Sequence, residues 1–275
     1  MDNQYLPIPF KSSSMKRRTF IQSVSTTAVS LGLPTAGLSA AGEALESTRK
    51  LFVFGGGSDK PIMNHIIKLT RKENPKICFV PTATGDSIVS ITNWYSLVEG
   101  LPMRPHVMRA FINSYTTKES FEETLMKMDA VFVGGGNTLN MIAVWKSQGI
   151  DIALRKAYDA GVLMSGASAG SLCWFESGTT DSRPKDLSKV ECLGWIKASH
   201  CPHYNVEEFR RPLYHDLITR KELSPGYACD NQSGIYFENE KLIQCVSSNA
   251  KSKSYFVDLV DGKIAERELK IDIIQ

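Results

Sequence analysis

Gly166-Ala167-Ser168-Ala169-Gly170 is the stretch of this chain whose residue types and spacing can do chemistry. It follows an apolar run, Gly161-Val162-Leu163-Met164, and precedes a segment able to start a helix. Read as strand, tight turn and helix, it has the Gly-x-Ser-x-Gly form of a nucleophile elbow, in which small residues let the chain turn sharply and present one serine at the strand end. The N–H of Ala169, just after that serine, then faces the place where an oxyanion forms. A plain Gly/Ala/Ser-rich loop has the same composition, so the reading depends on what else the chain supplies. A serine hydroxyl is a weak nucleophile; it needs a base within hydrogen-bond reach, and the base needs an orienting group.

Five histidines are available. His65 and His215 fall within helix patterns, and His106 begins a strand candidate. His200 and His203 lie in a short loop after the strand-like Gly194–Ala198, where a base can face the elbow. Two carboxylates compete as third member. Asp181 sits in the polar stretch from Glu176 to Lys189, read as a loop; Asp230 follows a strand candidate in Ala228-Cys229-Asp230-Asn231. His200-Cys201-Pro202-His203 lacks the paired Cys-x-x-Cys spacing of structural zinc, so no metal or other cofactor is expected.

The elements that must position these residues alternate. Leu51–Phe54, Lys76–Pro81, His106–Phe111 and Asp129–Val133 read as strands, the first and last ending in Gly55-Gly56-Gly57 and Gly134-Gly135-Gly136. Between them, Ile62–Leu69, Ile88–Leu101 and Thr117–Met128 read as helices, and two more follow at Leu139–Lys146 and Ile150–Tyr158. Strands alternating with helices predict βαβ units, hence an α/β fold with a mainly parallel central sheet and helices on both faces. Sites in such sheets gather at the carboxyl ends of the strands, where the glycine turns lie. The Gly55 turn lacks the third glycine and the acidic residue of a dinucleotide site. Beyond the elbow, a helix is expected over Val206–Arg220. Short strands follow at Ile235–Phe237, Leu242–Val246 and Tyr255–Leu259, with a hairpin at Asp261-Gly262, which predicts an antiparallel edge near the C-terminus.

The chain has 275 residues, 42% of them hydrophobic, enough for one large core. Its net charge of +3 resides in residues 1–41, where Lys11, Lys16, Arg17 and Arg18 face Asp2 alone. The body is near neutral and carries no basic footprint for nucleic acid. Arg17-Arg18-Thr19-Phe20-Ile21 before a mildly apolar run resembles a twin-arginine export signal, with small residues for cleavage up to Ala41. Polar residues and Pro34 interrupt the run, so no stable membrane span is expected. The organisation predicted is a signal peptide over 1–41, a linker over 42–50 and one catalytic domain over 51–275, exported to the periplasm; a cytoplasmic location is the alternative. The six cysteines are expected as thiols, with Cys78 and Cys245 in core strands.

Four motifs come in one order: Gly134-Gly135-Gly136-Asn137-Thr138, Gly166-Ala167-Ser168-Ala169-Gly170, Thr179-Thr180-Asp181 and Pro202-His203-Tyr204. Over roughly residues 51–260 the chain resembles the peptidase E family (family S51). These are serine aspartyl dipeptidases of the class I glutamine-amidotransferase-like fold, related to the cyanophycinases. The resemblance implies Ser168 as nucleophile, His203 as base, and backbone N–H groups near Gly136 and Ala169 as the oxyanion hole. It offers Asp230 or Asp181 as the third member. Asp230 is preferred, because a carboxylate at a strand end is better preorganised than one in a long loop; Asp181 then serves the substrate's α-amino group. Arg210 matches the position that holds an N-terminal aspartate, and Asn137 is a further substrate-binding candidate. The activity implied is cleavage of small peptides, Asp-x dipeptides first, with β-aspartyl-arginine hydrolysis or a non-catalytic binding role as alternatives. The partner expected is a small peptide; a homodimer is an open assembly. Departures from the family pattern are the export signal, Ala167 where an aromatic is common, and Asp230 where Glu is usual.

Overall fold

A computed structural model of the chain describes residues 47–113 and 115–275. The export signal expected over 1–41 and most of the linker lie outside the described residues. The first sheet contains β1 (Lys50–Phe54), β2 (Lys76–Val80), β3 (Arg104–Val107), β4 (Ala130–Val133) and β5 (Leu163–Ala167). Strands β6 (Phe175–Thr180), β7 (Ser188–Glu191), β8 (Ile196–Cys201) and β9 (Gly226–Cys229) follow in a second sheet. Then come β10 (Ser233–Glu238), β11 (Lys241–Ser247), β12 (Ser254–Val260), β13 (Lys263–Glu268) and β14 (Ile271–Ile273). The first sheet has the order β14-β11-β10-β1-β5-β4-β2-β3, and the second β13-β12-β9-β8-β6-β7.

Strands β1 to β5 pair in parallel, as the alternating pattern predicts. Beyond β1 the sheet turns antiparallel, β10 against β1 and β11 against β10, and β14 then closes the edge in parallel with β11. Leu51 and Val53 enter one apolar cluster and Phe52 and Phe54 another, so both faces of β1 are covered. Helices α1 (Lys60–Thr70) and α2 (Ile88–Val98) cover one face through Ile62, Ile66 and Trp94. After α3 (Phe121–Leu125), helices α4 (Thr138–Gln148) and α5 (Ile150–Asp159) cover the other through Met141, Trp145 and Leu154. Local signals set the helix ends. Asp59 accepts from the Ile62 N–H at 3.0 Å and caps α1. Gly149, in the left-handed region, stops α4.

The structure corrects several expected boundaries. The third strand is Arg104–Val107 rather than His106–Phe111. Only Phe121–Leu125 of the helix expected over 117–128 forms, started by a reciprocal Ser120–Glu123 capping box. After the elbow comes a single turn, α6 (Ala169–Leu172), and then β6. The stretch Glu176–Lys189 is not one loop: it holds most of β6 and the start of β7. Its polar look misleads because β6 is packed too tightly at Gly178 for any side chain there. Thr179 and Thr180 are buried, and a Cβ on Gly178 would stand 1.9 Å from the His200 carbonyl oxygen on the neighbouring strand. The second sheet itself goes beyond the one sheet expected. Helix α7 (Arg210–Thr219) packs Tyr214, Leu217 and Ile218 onto it, beside Cys201, Ala228 and Val257. It starts at Arg210, not Val206, with Pro212 in the first turn, where a missing N–H costs no intrahelical bond.

Candidate active site

Strand β5 delivers Ser168 at its carboxyl end with φ 56 and ψ −117, a conformation an L-residue enters only at a cost of order 1–3 kcal/mol. The surroundings fix it there. Its N–H donates to the Phe54 carbonyl at 3.3 Å, and its carbonyl accepts from the Ser171 hydroxyl at 2.7 Å. The flanking glycines are there for clearance. A Cβ on Gly166 would lie 2.2 Å from the Gly170 carbonyl oxygen, and one on Gly170 would lie 2.1 Å from that of Val133. The Gly-x-Ser-x-Gly spacing is therefore what lets α6 cross the strand ends.

His203 stands opposite. It follows β8 through Pro202, takes φ 56, and is anchored by the Tyr204 N–H donating to the Cys229 carbonyl at 3.1 Å. Its Nε2 lies 2.7 Å from Ser168 Oγ and its Nδ1 lies 2.7 Å from Asn231 Oδ1. An amide oxygen only accepts, so Nδ1 carries the proton and the Nε2 lone pair faces the serine hydroxyl. The Gly55 turn contributes space here: a Cβ on Gly56 would lie 2.4 Å from His203 Cε1 and 2.7 Å from Asn231 Oδ1.

The loop Gly134–Gly136 abuts the nucleophile, since a Cβ on Gly135 would come 3.0 Å from Ser168 Cβ. Flanking N–H groups are taken: that of Gly134 donates to Val80 and that of Asn137 to Ala83. Those of Gly135 and Gly136 lie between them. On the other side Ala169 opens α6, where a first-turn N–H has no intrahelical acceptor.

The remaining sequence-predicted residues make their contacts elsewhere. Asp230 does not orient His203. Its Oδ2 accepts from the Lys253 N–H at 2.8 Å, and burial raises its carboxyl against that bond. The strand end turns the neighbouring side chain, Asn231, toward the base instead. Nor does Asp181 orient it: its carboxylate is 68% exposed, with Arg210 Nη2 at 3.9 Å. Arg210 is not open to a substrate carboxylate. It is 2% exposed, binds Glu207 through Nε at 2.7 Å and Nη2 at 2.6 Å, and donates to the Thr179 carbonyl at 2.8 Å. Asn137 is likewise engaged. It caps α4 by accepting from the Asn140 N–H at 2.9 Å and ties the segment after β6 to that cap by donating to the Ser182 carbonyl at 3.0 Å.

Residues outside the predicted set support the site. His200 is not in a loop but inside β8, fully buried. Burial drives its pKa down to about 3, against the pull of the Tyr227 carbonyl, so the ring is neutral. It sits 3.0 Å from Ser171 Oγ, the same hydroxyl that holds the elbow carbonyl. Behind His203, Tyr204 and His215 meet Glu266, which Arg211 also pairs. Burial works to raise the Glu266 carboxyl, but these hydrogen bonds outweigh it and hold it below the usual range. Among the described residues, no group of three or more His, Cys, Asp or Glu is placed to hold a metal ion.

The chain is similar to known peptidases. The chain is 40% identical over 229 residues to "Uncharacterized peptidase YgaJ" of Bacillus subtilis, spanning 81% of this chain and 98% of that one. It is 38% identical over 82 residues to "Peptidase E" of Streptomyces coelicolor, spanning 29% of this chain and 34% of that one. The crystal structure of a peptidase from an acI-B1 Actinobacterium shares the fold, with a TM-score of 0.64 over 84% of this chain and 96% of that one at 16% identity. The model of peptidase family S51 matches residues 51–245. With the match covering most of the chain, the protein belongs to peptidase family S51.

Proposed function

We propose that this peptidase is a serine exopeptidase for short peptides, with Ser168 as nucleophile, His203 as general base and Asn231 as the group that orients the base. The observation that carries the reading is the 2.7 Å approach of His203 Nε2 to Ser168 Oγ. As Oγ bonds to the substrate carbonyl carbon, Nε2 takes its proton, and the imidazolium keeps its Nδ1–H on Asn231. The N–H groups of Ala169 and of Gly135 or Gly136 receive the oxyanion; one such donor is worth about 10²–10³ in rate. Collapse expels the amine with the proton from Nε2. Water then attacks the acyl-enzyme by the same route and frees Ser168.

Asp181 supports an exopeptidase, since its carboxylate just beyond β6 is exposed and only loosely paired with Arg210 Nη2 at 3.9 Å, which leaves it open to an α-amino group. An N-terminal aspartate preference has less support, because Arg210 is buried and already paired. The expected setting is outside the cytoplasm, from the Arg17-Arg18 signal; unprocessed chain confined to the cytosol in a fractionation would speak against it.

The test is Ser168→Ala, assayed by dipeptide hydrolysis and by labelling with a fluorophosphonate. The rate should fall by about 10⁴-fold or more and the labelling should vanish. Undiminished hydrolysis would end the serine mechanism.

A further inference from the structure

Beside the nucleophile lies a cavity of about 310 Å³, bounded by Ala167 and Gly135 of the candidate site on one side and by α2 on the other. Its walls include Phe79, Trp94 and Phe132, three rings stacked on one another with centroids 5.2 to 5.8 Å apart. Ser90 and Asn93 from α2 supply neutral polar groups at the rim. Among the described residues that line it, none is charged.

The volume suits one side chain. The surface shared with Ala167 and Gly135 puts that side chain next to the carbonyl that Ser168 would attack. Its chemistry follows from what it lacks. A carboxylate entering an aromatic-walled space without a cationic partner loses hydration and gains nothing in return. An aromatic or aliphatic side chain removes apolar surface from water against the aromatic wall. The buried cation expected to answer a substrate carboxylate, Arg210, is held by Glu207 and the Thr179 carbonyl.

From these observations we infer that the cavity is the pocket for the residue donating the attacked carbonyl, and that it selects an uncharged aromatic or aliphatic side chain over aspartate. The inference rests on the catalytic reading above for the position of that carbonyl. The rings Phe79, Trp94 and Phe132 are the specificity residues.

Two measurements separate this assignment from the catalytic one. The first is kcat/KM of the full chain for Phe-Leu, Leu-Leu and Asp-Leu. The second is the affinity of Phe-Leu and Asp-Leu for Ser168→Ala by calorimetry, which reports the pocket without turnover. Phe-Leu and Leu-Leu should exceed Asp-Leu by about tenfold or more in both. Asn93→Arg, at the exposed rim, should place a cation over the cavity and reverse the order. Asp-Leu cleaved or bound as well as Phe-Leu by the unaltered pocket overturns the assignment, as does binding of neither peptide. If Phe-Leu binds selectively to Ser168→Ala but no dipeptide is turned over by the full chain, the side-chain preference of the cavity stands and the catalytic reading falls.

Discussion

The two sheets make their halves of the site by different means. The first sheet builds the nucleophile side from backbone. Glycines at 166 and 170 remove clashes with carbonyl oxygens, Gly135 lies against Ser168, and the strained serine is tied through its own N–H and carbonyl. The second sheet builds the base side from side chains: Asn231 on His203, Glu207 on Arg210, and Glu266 gathering Tyr204, His215 and Arg211. Backbone-built sites tolerate only glycine at the crossing points, whereas side-chain-built sites depend on which neighbour points inward. The first kind leaves a fixed mark in a sequence and the second does not.

That contrast can be broken at its seam. Gly56 belongs to a first-sheet turn but gives clearance to the second-sheet base, so Gly56→Ala should push His203 away from Ser168. Activity should fall by about 10²-fold while circular dichroism stays unchanged, because misplacing a reacting group by an ångström is enough for such a loss. Retained activity would show that the base has room to shift.

Arg210→Ala tests the side-chain half for stability. It removes a buried cation and strands Glu207 and the Thr179 carbonyl, so denaturant unfolding should show a loss of about 3 kcal/mol. A loss within 0.5 kcal/mol, in the range of an ordinary surface change, would argue that Arg210 is free for other work.

Acid should weaken the second sheet through His200. Its folded pKa of about 3 lies below the ordinary 6.5. Between these values the unfolded chain takes up a proton that the folded chain excludes, so stability falls as pH falls from 6.5 toward 3. Melting temperatures over that range should decline less steeply in His200→Gln, provided that variant folds.

The finest test is Asn231→Asp. A carboxylate on Nδ1 stabilises the imidazolium, so the acid limb of the kcat/KM profile should move to higher pH with turnover within about tenfold of the parent. Asn231→Ala, which removes the acceptor, should lose turnover without that shift. Equal profiles for all three would remove Asn231 from the site.

How much was legible follows the same division. The parallel order of β1 to β5, the elbow at Ser168 and the turn at Gly134–Gly136 were readable, because hydrophobic runs and glycine turns record backbone constraints directly. His203 was readable from Pro202-His203-Tyr204 within the family resemblance. Asp230 is the expected third member because a carboxylate at a strand end is better preorganised than one in a loop. The strand end at Cys229 turns that side chain to the Lys253 N–H and gives the base to Asn231, and nothing in Asp230-Asn231 alone records which of two successive side chains faces inward. Arg210 poses a like problem: an arginine held by Glu207 three residues back and one open to a ligand look the same in a sequence. The second sheet is hard to read because residues 177–180 of β6 are Ser, Gly and Thr, small enough for close strand packing but polar enough to imitate a loop.

Asn231 lies on the segment that leaves β9 of the second sheet for β10 of the first. Ser168 belongs to the first sheet and His203 to the second, so the contact between them exists only once both sheets are in register. A nascent chain with the first sheet alone holds a serine with no base, and one with the second alone holds a base with nothing to activate. Under the proposed mechanism, hydrolytic competence is therefore a certificate of completed assembly.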